Sequence, residues 1–218
     1  MKTMLTLATV TLITLLSCAQ KSTKKEKIKD TMSASPFTGK TETATFGTGC
    51  FWCTEVIFKE LNGVISATSG YSGGQKPDPT YKEVCTGETG HAECIQVVYD
   101  PATITYDELL EVFWKVHDPT TLNRQGADVG TQYRSVIFYH NDGQKQKAEK
   151  YKAELDKSGA FSNPIVTEIT KFDIFYPAED YHQDYYMNNK YTTSYCSIVI
   201  RPKLEKFEKV FKDKLKKH

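Results

Sequence analysis

The sequence predicts an α/β domain in which a mixed β-sheet is flanked by helices. Apolar residues recur with the two-residue period of strands in some segments and with the helical period in others, and the two kinds of segment alternate along the chain. With 218 residues, of which 39% are hydrophobic, the chain can bury one substantial core. Its formal net charge of +1 gives no argument for a nucleic-acid partner.

The first half of this domain alternates strands and helices. Residues 42–48 alternate small or β-branched residues with polar ones, as a short strand does, and apolar residues after Cys50 repeat at helical spacing. Residues 64–69 and 95–99 have the composition of two further strands. An amphipathic helix is predicted at 105–117, since its leucine, valine and phenylalanine side chains fall on one side.

The second half begins with a long loop, residues 117–135, which has no periodicity. Long loops inside compact domains tend to be functional. A buried strand is predicted at 136–139, a charged helix at 144–157 and a strand at 165–169. A lysine-rich amphipathic helix at 203–217 is expected to pack on the domain surface, so its loss should affect stability before chemistry.

Cys50 lies where the first strand turns into the first helix. Gly49 suits the tight turn, and the unpaired N–H groups at a helix start favour the thiolate form of a cysteine. Because the thiolate is the reactive form, we predict that Cys50 is a nucleophile with a lowered pKa. The alternative is a small, buried core cysteine.

The N-terminal residues predict export. An apolar run, Met4–Leu16, follows Lys2 and is too short to span a bilayer comfortably, but it has the length of a signal-peptide core. We therefore predict a signal peptide at residues 1–17.

The signal peptide is expected to be of the lipoprotein type. Leu15-Leu16-Ser17-Cys18 resembles the lipobox of bacterial lipoproteins, whose cysteine is lipidated and becomes the first mature residue. Residues 18–40, rich in lysine, serine and threonine, then form a flexible tether, and residues 41–218 form the catalytic domain. We expect an exported, membrane-anchored protein that faces the periplasm or the cell exterior. An ordinary signal peptide with an incidental Cys18 is the alternative.

Several separated motifs carry a resemblance to a known family. Gly49-Cys50-Phe51-Trp52, the segment Val84–Glu93 and the loop His117–Ser135 follow one another in the order that resembles the peptide methionine sulfoxide reductases of the A type. The likeness runs from Ala44 to Cys196. It implies a two-layer α/β sandwich with long loops and a C-terminal tail around the site. It also implies an oxidoreductase that repairs oxidised methionine in proteins, and free methionine S-oxide, without a bound cofactor.

The residue types fit this chemistry. Sulfoxide reduction needs a soft nucleophile for sulfur and a proton source for oxygen. By the resemblance, Cys50 attacks as thiolate, while Glu93, with the phenols of Tyr81 and Tyr133, hydrogen-bonds and protonates the oxygen. Asp128 is expected to orient the polar network. Without the resemblance, the tyrosines would be interpreted as half-buried residues and Asp128 as a turn residue.

The substrate methyl group needs an apolar wall. By the resemblance, Phe51 and Trp52 form this wall and help to select the S epimer at sulfur. A sulfenic acid left on Cys50 must then be resolved by a second thiol. Cys196 occupies the place of the family's resolving cysteine, and Cys53, three residues from the nucleophile, is the alternative.

The other cysteines are expected to be structural. Apart from Cys18, five of the six cysteines remain, and an odd number with no obvious pairing argues against a disulfide scaffold. Cys85 and Cys94 are interpreted as buried. We expect a thioredoxin or a similar thiol donor to reduce the enzyme, which should act as a monomer. Export implies that this donor is a membrane thiol relay or an exported thioredoxin-like protein.

Two other functions fit parts of the sequence. A thioredoxin-like thiol-disulfide oxidoreductase is suggested by Cys50-x-x-Cys53 at a helix start, and it would not need Glu93. A structural zinc module would need two close pairs of ligands, and Cys85 and Cys94 are too far apart in sequence to form the second pair. No metal is therefore expected.

Overall fold

The computed structural model describes residues 39–217. The predicted signal peptide, the predicted lipidation site Cys18 and nearly all of the predicted tether lie outside the described residues. Within residues 39–217, no helix is both long enough and apolar enough to cross a membrane.

A six-stranded mixed sheet forms the centre of the described fold. The strands are β1 Glu42–Thr48, β2 Val64–Ser72, β3 Ala92–Tyr99, β4 Arg124–Gln125, β5 Asp128–Val129, β6 Ser135–Tyr139, β7 Glu168–Lys171 and β8 Phe175–Pro177. The order in the sheet is β7-β6-β1-β3-β2-β8, while β4 and β5 form a separate small hairpin. All neighbours in the large sheet are antiparallel except β6 and β7, which are parallel.

Helices cover the sheet and line the ends of its strands. They are α1 Phe51–Lys59, α2 Tyr81–Val84, α3 Tyr106–Val116, α4 Asp142–Ser158, α5 Tyr185–Asn189 and α6 Arg201–Val210. A π-helical turn, Cys196–Ile200, runs directly into α6. The sequence explains several starts: Thr105 caps α3 in a capping box with Glu108, and Asn141 caps α4.

The main core lies between the sheet and the helices. Phe46 of β1 packs against Phe58 of α1 and Phe113 of α3, with ring centroids 5.4 and 5.3 Å apart. Leu204 and Phe207 of α6 are buried in the same cluster. A smaller cluster, which includes Cys94 and Phe138, lies separately from it. The predicted mixed α/β fold is confirmed.

Most predicted elements are present, but some boundaries were wrong. The predicted strand at 165–169 lies at Glu168–Lys171, because the Val166 N–H donates to the Pro119 carbonyl, outside the sheet. The helix predicted at 203–217 ends at Val210, since Phe211 leaves helical geometry and the chain returns so that Leu215 pairs with Leu61. The hairpin β4–β5, strand β8 and helix α5 were not predicted.

Candidate active site

Cys50 sits at the N-terminus of α1, as predicted. It is not yet helical itself, but its carbonyl oxygen accepts the Cys53 N–H at 3.2 Å and the Thr54 hydroxyl at 3.2 Å. The turn before it requires glycine, because Gly49 has φ +94° and a Cβ there would lie 2.6 Å from the Cβ of Gln125. The local sequence therefore fixes the thiol at the point where strand becomes helix.

Burial dominates the ionisation of Cys50. The side chain is only 5% exposed. Burial raises the pKa of the Cys50 thiol, and its hydrogen bond with Cys53 acts in the same direction, whereas interactions with the Tyr195 hydroxyl and the Trp52 N–H lower it. The predicted lowering of this pKa was therefore wrong for the described state, because loss of water outweighs the helix N-terminus.

Glu93 places a carboxyl group next to the nucleophile. It is the second residue of β3, is 1% exposed, and its Oε2 accepts the backbone N–H of Phe51 at 3.0 Å. Burial first, and then the nearby Cys50, raise the pKa of Glu93 well above its ordinary value, against the effect of the Phe51 N–H. A carboxyl group with such a raised pKa can carry a proton at neutral pH.

The side chains of Tyr81 and Tyr133 are half-buried and interact electrostatically with Glu93. Burial and the negative charge of Glu93 raise the pKa of both tyrosines, so both hydroxyl groups stay protonated and can donate hydrogen bonds. Tyr81 is held in place by its backbone N–H, which donates to Glu179 at 2.9 Å. The structure thus brings the predicted carboxyl group and both predicted phenols to one place.

Asp128 connects the long loop to the C-terminal tail. Its Oδ2 accepts the hydroxyl of Tyr195 at 2.9 Å, and that hydroxyl also interacts with the thiols of Cys50 and Cys53. Tyr195 was missed from the sequence. In the sequence, only its position directly before Cys196 could have indicated that Tyr195 belongs to the site.

The two aromatic residues after Cys50 have different surroundings. Phe51 is 1% exposed and belongs to the core, whereas Trp52 is half-buried. Tyr185 stacks on the Trp52 indole with ring centroids 3.7 Å apart and planes 8° apart, and the indole N–H donates to His182 Nδ1 at 3.1 Å. Tyr185 and His182 were also missed, although both stand in the conspicuous segment Tyr181–Tyr186.

Both candidate resolving cysteines are buried. Cys53 is 4% exposed and shares a hydrogen bond with Cys50. Cys196 is fully buried in the π-helical turn and belongs to the same apolar cluster as Cys50 and Cys53. The geometry keeps both alternatives open.

The two remaining cysteines of the described part differ from each other. Cys94 is buried as predicted, and its thiol faces the Gly70 carbonyl at 3.7 Å. Cys85 is exposed, so its predicted burial was wrong: it ends the short helix α2 at the surface, beside the Tyr81 hydroxyl. All five cysteines of residues 39–217 are free, and that range contains no group of three or more His, Cys, Asp or Glu side chains placed to hold a metal ion.

Sequence comparisons identify relatives over nearly the whole described domain. A family model for peptide methionine sulfoxide reductase matches residues 42–215. Peptide methionine sulfoxide reductases of Saccharolobus solfataricus and Sulfolobus acidocaldarius are each 55% identical to this chain over 177 residues. These alignments cover 81% and 79% of this chain, and 98% and 97% of the relatives.

Solved structures agree with the sequence relatives. Mxr1 from Saccharomyces cerevisiae in its reduced form is 40% identical, with a TM-score of 0.66, and the match covers 71% of this chain and 89% of that one. Methionine sulfoxide reductase A of Corynebacterium diphtheriae is also 40% identical, with a TM-score of 0.63 over 70% of this chain and 77% of that one. These matches confirm the resemblance and favour sulfoxide reduction over a thioredoxin-like exchange of disulfides. The chain belongs to the peptide methionine sulfoxide reductase family, and it is an oxidoreductase that returns methionine sulfoxide to methionine with electrons from a thiol.

Proposed function

We propose that this chain reduces the S epimer of methionine sulfoxide, in proteins and as the free amino acid, through Cys50 and Glu93. One observation carries the proposal. The buried carboxyl group of Glu93 is bonded to the backbone N–H of Phe51, the residue next to the nucleophile, and its pKa is raised. The thiol and a carboxyl group that can carry a proton would therefore both face the sulfoxide group of a bound substrate.

The first step transfers the sulfoxide oxygen to Cys50. The Cys50 thiolate attacks the sulfoxide sulfur and forms a sulfur–sulfur bond while Glu93 protonates the oxygen. The resulting hydroxyl group then moves from the methionine sulfur to the Cys50 sulfur, so that the oxygen–methionine bond and the sulfur–sulfur bond both break. One thiolate, one sulfoxide and one proton thus give methionine and a sulfenic acid. Tyr81 and Tyr133 donate hydrogen bonds to the oxygen while charge develops on it.

The neighbouring residues orient the substrate. Asp128 holds the Tyr195 hydroxyl at the thiol, and Phe51 with Trp52 forms the apolar wall for the methyl group. Because Phe51 is buried, the half-buried Trp52 offers the larger accessible surface of this wall. A wall on one side and hydrogen-bond donors on the other can distinguish the two epimers at sulfur.

The second step forms a disulfide and water. The thiol of Cys196 attacks the sulfenic sulfur of Cys50, and the hydroxyl leaves as water. Cys196 is supported by its place in the tail and by its burial in the same cluster as Cys50. Cys53 is a second candidate, which the hydrogen bond between the two thiols favours. A thioredoxin-like donor then supplies two electrons and two protons to restore both thiols.

A single-turnover experiment tests these steps. The described domain is reacted with each epimer of a methionine sulfoxide peptide without reductant, and the resulting disulfide is located by mass spectrometry in wild type, Cys50→Ser, Cys53→Ser and Cys196→Ser. We expect consumption of the S epimer alone, an inactive Cys50→Ser variant and a bridge from Cys50 to Cys196. Reduction of the R epimer, or turnover by Cys50→Ser, would contradict the proposal, and a bridge to Cys53 would replace Cys196 as the resolving residue.

We also propose that the protein is exported as a lipoprotein monomer. The apolar run Met4–Leu16 and the lipobox-like residues that end at Cys18 support export and lipidation. The predicted boundaries are 1–17 for the signal peptide, 18–40 for the tether and 41–218 for the catalytic domain, and an exported thiol donor would supply the electrons. Fractionation of cells that express the wild-type chain or the Cys18→Ser variant tests the lipid anchor. The wild-type chain should partition into detergent with the membranes and the variant should not; equal partitioning would exclude lipidation.

A further inference from the structure

We propose that His182 is a positioning residue for the Trp52 indole. Substrate binding requires the neutral imidazole of His182, in the form whose Nδ1 carries no proton. The inference rests on the proposed role of Trp52 in the substrate wall. It assigns a function to a histidine that sequence analysis did not connect with the site.

The hydrogen bond between the two side chains has only one possible direction. The Trp52 indole nitrogen can donate but cannot accept, so His182 Nδ1, 3.1 Å away, must be the acceptor. Nδ1 therefore carries no proton, and the neutral imidazole carries its proton at Nε2. That Nε2 atom is buried and has no hydrogen-bond partner in the described part of the chain. Within residues 39–217, the hydrogen bond from Trp52 is thus the one that the ring makes, while the carboxylate of Glu179 lies 3.8 Å from Nε2.

The surroundings hold the imidazole ring in one orientation. His182 is 1% exposed, and its ring centroid lies 4.2 Å from that of Tyr81 and 5.2 Å from that of Phe51. Its backbone N–H donates to the Glu179 carbonyl at 2.8 Å. The Trp52 indole, stacked on Tyr185 across one face, therefore receives its in-plane orientation from a fixed acceptor.

Protonation at Nδ1 would remove this acceptor. Both ring nitrogens would then be donors, and the indole N–H would face another N–H. The groups that face His182 are the carboxylate of Glu179, 3.8 Å from Nε2, the phenols of Tyr81 and Tyr181, and the uncharged rings of α1. Burial lowers the pKa of His182, and Glu179 opposes this. The neutral ring is therefore the form present at neutral pH. Protonation of His182 in acid removes the acceptor that orients the Trp52 indole.

Two variants separate an acceptor from a merely space-filling residue. His182→Asn places an amide oxygen near the position of Nδ1 but cannot titrate, while His182→Leu fills a similar volume without an acceptor. His140→Asn is the matched control, because His140 also stacks on an aromatic ring, Phe172 at 4.2 Å, and hydrogen-bonds Thr45 away from the thiols. KM and kcat for a methionine sulfoxide peptide are measured between pH 5 and 8, with near-ultraviolet circular dichroism of the same proteins without substrate.

The expected pattern is specific to positioning. At pH 7.5, His182→Leu should raise KM about five- to tenfold with kcat changed less than about twofold, the effect of one lost hydrogen bond. His182→Asn should keep KM within about threefold of wild type and should lose the rise in KM that wild type shows in acid. The tryptophan circular dichroism of wild type should change over the same pH range as its KM, and that of His182→Asn should not.

Other outcomes overturn the inference. An Asn variant as impaired as the Leu variant would show that the acceptor is not what matters, and so would a Leu variant with unchanged KM. If no variant and no wild-type protein reduces sulfoxide, the proposed function fails, but the circular dichroism titration still decides whether His182 holds Trp52. A pH-independent tryptophan signal in wild type would refute that contact.

Discussion

Glu93→Gln is expected to remove proton transfer while leaving the architecture of the site intact. The Gln oxygen can accept the Phe51 N–H as Glu93 Oε2 does at 3.0 Å, so the start of α1 keeps its hydrogen bond. The amide can still hydrogen-bond the sulfoxide oxygen but cannot give it a proton. Because general acid catalysis contributes about 10²- to 10⁴-fold, we expect the rate of the first step to fall by about that factor.

The assay is the single-turnover rate of methionine release at pH 7, with thiol alkylation as a measure of Cys50 accessibility. Glu55→Gln is the matched control, because Glu55 is also buried, at 2% exposure, and its pKa is also raised by burial. It bonds Lys59 at 2.9 Å and the Asp184 N–H at 3.1 Å, so its loss should affect stability and leave the rate unchanged. A Glu93→Gln rate within about threefold of wild type would refute the acid role.

The Glu93→Gln variant should also differ from wild type in how its free energy of unfolding depends on pH. Folding raises the pKa of Glu93, so the stabilisation by its protonated form is fully present below the unfolded pKa of about 4.3 and is lost as pH rises through the folded pKa. Gln does not titrate. The free energy of unfolding of Glu93→Gln should therefore rise relative to wild type between pH 4 and pH 8, by about 1.4 kcal/mol for each unit of the pKa shift. A pH-independent difference in denaturant titrations would show that Glu93 is not perturbed.

Four further substitutions test packing at the site and in the main core. Tyr185→Ala removes the ring stacked at 3.7 Å on the indole and should raise KM roughly three- to tenfold, with kcat nearly unchanged in steady-state assays. Gly49→Ala forces a Cβ to 2.6 Å from Gln125, so it should lower the unfolding free energy by about 2 kcal/mol or more and should also lower kcat. Gly126→Ala is its control, because a Cβ there would have nothing within 4 Å. It should lower the unfolding free energy by about 1 kcal/mol and leave kcat unchanged. Phe207→Ala, at a residue 3% exposed, should lower the unfolding free energy by about 3–5 kcal/mol in urea titrations without changing kcat per folded molecule.

Local pattern was sufficient for β1 and α3, which appear close to their predicted bounds. The helical period of α3 directly reports which of its side chains face the core, whereas β1 is buried continuously over its last five residues and was found from its strand-like composition. The elements that were missed or shifted depend on distant partners. Strand β8 exists because it pairs with β2, and α6 stops at Val210 because the chain beyond it returns to pair Leu215 with Leu61. Such pairings leave no periodic trace in three or four residues.

The site shows the same division. Cys50 was found from a local signal, the strand-to-helix turn at Gly49, but its burial to 5% exposure is a property of the whole folded domain. The direction of its pKa shift was therefore not predictable from the turn. Tyr195 and His182 act through hydrogen bonds to residues 67 and 130 positions away in the sequence. A single sequence holds no spacing rule for contacts of that range.

The charges of the buried thiol and carboxyl group constrain the order of events in the proposed mechanism. The charge of Cys50 raises the pKa of Glu93, so ionisation of the thiol makes the carboxyl group hold its proton more firmly. Two negative groups in this pocket would each lack water, which makes the doubly ionised state the least favourable one. The proton can leave Glu93 at low cost only when the thiolate charge has been consumed by its bond to the substrate sulfur. At that moment the charge has moved to the sulfoxide oxygen, where Glu93 and the two phenols can neutralise it. Attack and protonation are therefore expected to be coupled, because each removes the charge that opposes the other.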